Sequence, residues 1–401
     1  MSKKILIVTE YFYPEEFKIN EVALSFQEKG YIVDILTLNP TYPYGKVFDK
    51  YNNKWFTKDS YNGMNIYRLK SVTGYKSSLF KKLLKYFSFM ILGSFVTLKI
   101  GKKYDYILGF DIGALSSMLP AVLIKKFYKK RVILWVQDIW PDSVYAYGFK
   151  KTKILEYILN KFVRFIYRHT DAFAVTGEGF KEKILPYIDN NQPIKYIPNW
   201  ADDFNKNLEE FSFSDNKVTN FTFAGNIGKL QNLNNVIEAF GNLSRKYQQN
   251  AQLNIIGDGT ELESLKQIVK ENNYKNIIFW GRKPKDEMYK YLKASDFLIV
   301  SLIDNPILEL TIPAKVQTYI ASGKPILAIL NGDTADIIKD NSLGYCASPN
   351  DINEIKYIFQ KAIDTSSKEL EKFTKNCEIL TNTIFSKEII LDNIINMMEN
   401  K

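Results

Sequence analysis

Histidine is almost missing from this chain. Among 401 residues there is one, His169. A single imidazole supplies no histidine pair for a metal and no persuasive triad, and no Gly-x-Ser-x-Gly elbow is present. Cysteine is nearly as scarce. Cys346 and Cys377 alone exclude a disulfide framework and a zinc cluster, and they fit a reducing compartment. Residues 60–104 contain no Asp or Glu. Long apolar runs are missing too: YFSFMILGSFVTL (86–98) falls short of the roughly 20 residues a helix needs to cross a bilayer. The start, MSKKILIVTEYFYP, passes from two lysines straight into a strand-like run. It lacks the longer apolar core and small-residue cleavage site of a secretion signal, so secretion is not expected. No zinc-finger spacing and no helix-turn-helix or RRM signature is seen, so no nucleic-acid partner is expected.

What is present describes a folded protein with an anionic partner. The composition is 46% hydrophobic and 24% charged, which excludes wholesale disorder. A formal charge of +10 favours nucleotides or lipid head groups. Short β-branched runs alternate with helical stretches. The runs at 4–10, 31–38, 104–110, 131–138, 172–177 and 195–200 make a first series. Those at 219–226, 251–259, 276–282, 296–302 and 324–330 make a second. Strands spaced by helices, such as 19–30, predict right-handed βαβ units and parallel sheets. Two series predict two doubly wound domains, with ligands beyond the carboxyl ends of the strands. We place the first at 1–200, a polar linker at 201–218 and the second at 219–380. A C-terminal helix over 381–401 is expected, crossing back to the first domain.

The acid-free stretch carries Arg68, Lys70, Lys76, Lys81, Lys82, Lys85, Lys99, Lys102 and Lys103 around its apolar centre. KKTKILEYILNKFVRFIYRH (150–169) repeats that composition, with Glu156 as its only acid. One reading is a pair of core helices with solvated lysines. The other, which the repetition favours, is helices lying in the headgroup plane of an anionic membrane.

Candidate chemistry collects in the strand-end loops. FAGNIGK (223–229) puts Gly225, Gly228 and Lys229 at a strand–helix turn, although neither a Walker loop nor a G-x-G-x-x-G fingerprint is present. GDG (257–259) and GRK (281–283) follow the next strands. Asp258 is placed to cap the following helix, and Arg282 to meet a base or phosphate. PILELTIPAKVQTYIASGKPILAI (306–329) sets Thr311, Pro313 and Lys315 at a helix mouth, a natural anion site, and ends that helix at Gly323. In the first half, WVQDIWPDS (135–143) ends a strand on Gln137 and Asp138, then turns through Trp140-Pro141. Asp138 is suited to take a proton or hold sugar hydroxyls, and Asp142 to cap a helix. YFYPEEFKIN (11–20) is an aromatic loop able to stack on a sugar ring.

In that order, YFYPE with Asn20, NPTYPYGK (39–46), WVQDIWPDS, IPNWAD, FAGNIGK, GDG and TIPAKVQTYIASGKP resemble family 4 glycosyltransferases over nearly the whole chain. The similarity is greatest to the bacterial surface-polysaccharide branch that includes the L-fucosamine transferases. The resemblance implies the GT-B fold, two Rossmann-like domains facing across a cleft. It implies a retaining transfer from a nucleoside-diphosphate sugar, by analogy UDP-linked, with no cofactor and no divalent metal. The acceptor would be an undecaprenyl-diphosphate-linked saccharide of capsule or O-antigen, reached from the cytoplasmic side of the plasma membrane. Donor diphosphate would fall to Gly228, Lys229, Thr311, Pro313 and Lys315. The nucleoside would fall to Gly257, Asp258, Gly259, Arg282, Glu309 and Thr318, and the acceptor to Tyr13, Glu16, Asn20, Gln137 and Trp140. Asp138 and Lys315 would be catalytic. The chain departs from the family at Thr318, where the second of two glutamates is usual, with Glu309 near the place of the first. Asn226 and Gln231 replace the usual basic pair of the phosphate loop, and Gln137 replaces a histidine. Thr318 keeps open a non-catalytic nucleotide-sugar or polysaccharide-binding subunit. A related epimerase is disfavoured because no acid–base histidine pair exists.

Overall fold

The computed structural model describes residues 2–399, except 76–77, 147–148, 190, 202–203, 205–208 and 214–217. It divides into two units, Met1–Pro198 with Ile390–Lys401, and Asn199–Ile389. Much of the expected linker, and Lys76 of the basic stretch, lie outside the described residues.

The first unit is built on eight strands: β1 (Lys4–Val8), β2 (Ile32–Leu38), β3 (Phe56–Tyr61), β4 (Met64–Leu69), β5 (Tyr106–Asp111), β6 (Arg131–Val136), β7 (Ala172–Val175) and β8 (Ile194–Tyr196). Their order is β3-β4-β2-β1-β5-β6-β7-β8. The expected parallel sheet is mixed, because β3 pairs antiparallel with β4. This hairpin was not expected. FTKDSY lacks a β-branched run and alternates exposed with half-buried on the sheet edge. Its signal is Asn62-Gly63, both at positive φ, +47° and +80°. Two such residues in succession suit the tight turn whose twist matches a hairpin.

The second unit holds β9 (Thr219–Ala224), β10 (Ala251–Ile256), β11 (Ile277–Gly281), β12 (Phe297–Ser301), β13 (Ile326–Ile329) and β14 (Gly344–Ala347), in the order β11-β10-β9-β12-β13-β14. All its pairings are parallel. The β14 strand, GYCA, is four residues long and carries too little pattern to announce itself. Burial alternates between two cores. Phe221, Phe223, Phe297 and Ile299 enter one, while Ala224, Leu298 and Val300 enter the other. A parallel sheet covered on both faces demands that, and it is why these strands read as continuous apolar runs.

The helix expected at 19–30 spans Lys18–Glu28. The apolar stretch lies in a helix longer than its uncharged centre, Leu79–Ile100. By length and composition Phe80–Lys103 could cross a membrane, at mean hydropathy 1.5. Yet Phe89 and Thr97 on it are fully buried, so one face is core. Lys153–Arg168 forms the second basic helix. In place of one helix over 381–401 there are two, Ser367–Asn382 and Lys387–Glu399. The last is held in the first unit by Lys29–Asp392 at 2.8 Å, Lys3–Glu399 at 3.1 Å, and Arg131 Nε donating to Met397 O at 3.0 Å. Both cysteines are free thiols.

Candidate active site

Strand order in the second unit reverses between β9 and β12, and doubly wound sheets bind ligands at such a switch point. Two segments flank it. Tyr319, on the helix Ala314–Ala321, ties them together: Ala224 N donates to its hydroxyl at 3.1 Å, and the hydroxyl donates to Ala224 O at 3.2 Å. Pro313, at φ −58°, caps this helix rather than entering it. Two residues after it, the Lys315 ammonium sits 3.8 Å from the centroid of the Phe223 ring. Its Nζ is buried without a hydrogen-bond partner among the described residues. Burial pushes its pKa down from 10.5 to about 7. A cation–π contact offsets part of that desolvation, but no carboxylate among the described residues neutralises the charge. Lys315 is therefore an amine poised between its neutral and charged forms beside the open N–H groups of a helix start.

Gly225, at φ +146°, is the glycine against this lysine: a Cβ there would lie 3.0 Å from Nζ. Gly228, three residues further along the loop, is occupied otherwise, its N–H donating to Gln231 Oε1 at 3.1 Å. Lys229 does not open the α-helix. It begins a short 3₁₀ turn, Lys229–Gln231, and the α-helix Leu233–Gly241 follows Asn232. Its side chain is exposed.

The nucleoside candidates lie on neighbouring edges. Gly257 has φ +145°, and a Cβ would stand 1.8 Å from Gly225 O; at Gly259 it would stand 2.2 Å from Ile227 O. These glycines let the β9 and β10 loops lie backbone to backbone. Asp258 does not cap the next helix: it accepts from Gly259 N at 2.8 Å, and that helix starts behind Glu261. Arg282 is exposed just beyond β11. Glu309 shares a hydrogen bond with Asp304, which raises its pKa. The Thr318 hydroxyl donates to Ala314 O at 3.2 Å within its own helix, and Thr311 Oγ1 donates to Leu308 O at 2.9 Å.

In the first unit the order reverses between β1 and β5, and three carboxyls converge there. Asp138 Oδ2 accepts Gly113 N at 2.9 Å, and burial raises its pKa. Asp111, fully buried, has neither oxygen bonded among the described residues. Burial, then the Asp138 and Glu10 charges, hold it well above the carboxylate range. Glu10 is buried and paired with Lys85 at 3.0 Å; the same ammonium donates to Tyr11 OH at 2.6 Å. Trp140 Nε1 donates to Gly113 O at 3.0 Å, and Gln137 N to Asp111 O at 3.0 Å. Sequence reasoning reached Asp138 and missed Glu10, Asp111 and Lys85. Their only signal is that acids close otherwise apolar strands, β5 ending on Asp111 and β1 running on to Glu10.

The aromatic loop is braced. Tyr13 N donates to Asn20 Oδ1 at 3.0 Å, and Asn20 Nδ2 donates to Glu15 O at 2.7 Å, so Asn20 is spent on the loop. Glu16 is exposed, and Glu15 is the buried acid. Tyr13 stacks on Tyr61 at 4.0 Å. His169 lies apart from this chemistry, with Nδ1 2.8 Å from Phe165 O. Asp142 opens the short helix Asp142–Ala146 and lies 3.5 Å from Lys183.

Residues 205–379 match the family of glycosyl transferases, group 1. The probable glycosyltransferase WbjE of Pseudomonas aeruginosa is 28% identical over 255 residues, 59% of this chain and 62% of its own length. The chain thus spans less than two thirds of that relative. The putative colanic acid biosynthesis glycosyl transferase WcaI of Escherichia coli K12 is 23% identical over 340 residues, 80% of this chain and 81% of the relative. HepE of Anabaena, solved in complex with UDP and glucose, superposes with a TM-score of 0.65 at 11% identity, covering 100% of both chains. The fold is GT-B.

Proposed function

We propose that this chain is a retaining glycosyltransferase of group 1. It moves a sugar, by analogy an N-acetylated deoxyhexosamine as in the fucosamine transferases, from a UDP-linked donor to a lipid-diphosphate-linked saccharide of capsule or O-antigen. The observation that carries the donor half is Lys315, a buried amine with no anion of its own among the described residues, at a helix start and a switch point. A diphosphate is the ligand that such a cation lacks. HepE, of the same fold, holds UDP.

In this reading the bond from the sugar C1 to the β-phosphate oxygen breaks, and the nucleoside diphosphate leaves. Lys315, the helix N-terminus and Lys229 neutralise its growing charge, so no divalent ion is invoked. The acceptor hydroxyl oxygen bonds to C1 on the same face, and its proton passes to a phosphate oxygen of the leaving group. Asp138 holds and orients that hydroxyl. Gly257–Gly259, Arg282 and Glu309 line the nucleoside.

We place the enzyme at the cytoplasmic surface of the plasma membrane. Phe80, Leu84, Phe87, Ile91 and Phe95 form an exposed stripe along the helix Leu79–Ile100, and Ile154, Tyr157 and Ile158 are exposed on Lys153–Arg168. Only part of the nearby basic charge is available to lipid, since Arg68, Lys85 and Lys103 are paired with Asp59, Glu10 and Asp34.

The experiment is a thermal shift against UDP, dTDP, GDP, ADP and CMP, with Lys315→Ala alongside. Stabilisation by one nucleoside diphosphate, absent in the variant, supports the donor site. No shift with any of them refutes it. Thr318, whose hydroxyl is turned back on its helix, favours a second reading, a non-catalytic nucleotide-sugar-binding subunit. Binding without nucleoside diphosphate release in the presence of membranes would choose it.

A further inference from the structure

We infer that the first unit carries a second carbohydrate subsite, a pocket between the loops that follow β1 and β2. It receives a pyranose of the acceptor chain and prefers one with an acidic substituent. The inference rests on the reading of this unit as the acceptor side.

The pocket measures ≈ 530 Å³, inside the range of about 300–1,000 Å³ usual for small-molecule sites. Tyr13, Tyr44, Phe48 and Tyr51 supply its aromatic walls, and Lys46 and Lys50 stand beside a single acid, Asp49. Tyr44 is 67% and Tyr13 40% exposed. Rings left open to water in a loop are poor packing but good platforms. The C–H face of a pyranose lies on an aromatic ring, while its hydroxyls reach polar groups at the rim.

The walls are pre-formed. The Glu15 carboxylate accepts Thr41 N at 2.8 Å and Tyr42 N at 2.6 Å, fastening the second loop to the first. Gly45 N donates to Thr41 O at 2.7 Å, closing the turn that presents Tyr44 and Lys46. Arg68, fully buried, donates Nη2 to Tyr13 O at 2.6 Å and lies 4.8 Å from the centroid of the Tyr51 ring. The Tyr44 and Phe48 rings pack at a tilt of 51°, 5.9 Å between centroids. A buried guanidinium anchored on Asp59 of β3 and reaching Tyr13, and a buried carboxylate fastening the two loops, mark a shape that is held, not a flexible surface. The loops belong to β1 and β2, neighbours at the carboxyl edge that carries Asp138, so a saccharide longer than one residue can run from one site to the other.

The test uses the full chain and saturation-transfer NMR with methyl glycosides of glucose, galactose, N-acetylglucosamine and rhamnose, and of glucuronic and galacturonic acid. We expect saturation of ring protons in at least one sugar, strongest for a uronide. It should be lost in Tyr44→Ala/Phe48→Ala, and the uronide preference should fall at least threefold in Lys46→Gln/Lys50→Gln. Nucleoside diphosphate thermal shifts should be unchanged in both variants, which separates failure of this subsite from failure of the donor site. No saturation from any glycoside, or equal saturation in the aromatic variant, overturns the subsite. Equal binding of glucoside and glucuronide overturns its acid preference.

Discussion

Donor binding should draw a proton onto Lys315, and the number of protons follows from its environment. With its pKa held at about 7, Lys315 carries only about 0.1 proton at pH 8 in the empty site. A diphosphate against Nζ restores the ammonium, so binding at pH 8 should take up about 0.9 proton and at pH 6 almost none. Titration calorimetry with the preferred nucleoside diphosphate at pH 8, in Tris and in HEPES, gives the uptake from the difference in apparent enthalpy. The same geometry makes a stability prediction without ligand. Between pH 7 and 10.5 the unfolded chain holds a proton on this lysine that the folded chain does not. Stability therefore rises with pH through that window, and below pH 7 the charged form is buried at full cost. The fall from 10.5 to about 7 converts, at about 1.36 kcal/mol per pH unit, to roughly 5 kcal/mol below pH 7 and roughly 4 kcal/mol at pH 7.5. Lys315→Met should thus melt higher than wild type without ligand at pH 7.5, gain little at pH 10.5, and lose nucleotide stabilisation. No buffer dependence of the wild-type enthalpy at pH 8, or a Lys315→Met protein that melts lower than wild type without nucleotide, would refute the account.

Lys85→Met leaves Glu10 buried and unpaired and should cost about 3–5 kcal/mol in urea unfolding, with part recovered in Lys85→Met/Glu10→Gln; a loss under about 1 kcal/mol would mean that the pair is not formed. Gly257→Ala sets a Cβ 1.8 Å from Gly225 O at a φ of +145°. It should cost about 1–3 kcal/mol of backbone strain beyond the clash and weaken nucleotide binding at least tenfold, read by calorimetry. Phe87→Asp/Phe95→Asp, on rings 51% and 62% exposed, should abolish co-sedimentation with phosphatidylglycerol vesicles while leaving the melting temperature within 2 °C or so of wild type. Undiminished sedimentation would remove the membrane role of that helix.

Local sequence was enough wherever one strand or one loop speaks for itself. The buried parallel strands announce themselves as apolar runs because helices cover both faces of the sheet. Gly30 and Gly323 end their helices, and the TIPAKVQTYIASGKP segment puts Lys315 at a helix mouth. The edge hairpin of β3 and β4 was legible only in Asn62-Gly63, since an edge strand half in water has no need of a hydrophobic alphabet. Tertiary structure decided which charges are spent and which are kept. Lys85 and Lys103 read like Lys315 in sequence, yet acids from distant strands neutralise them, whereas Lys315 meets a phenyl ring and, among the described residues, no acid. Glycines 225, 257 and 259 look alike until the loops of β9 and β10 are laid backbone to backbone. Asp111 became distinctive only when β5 carried it between Glu10 and Asp138. A charge is defined by what faces it, and what faces it comes from elsewhere in the chain.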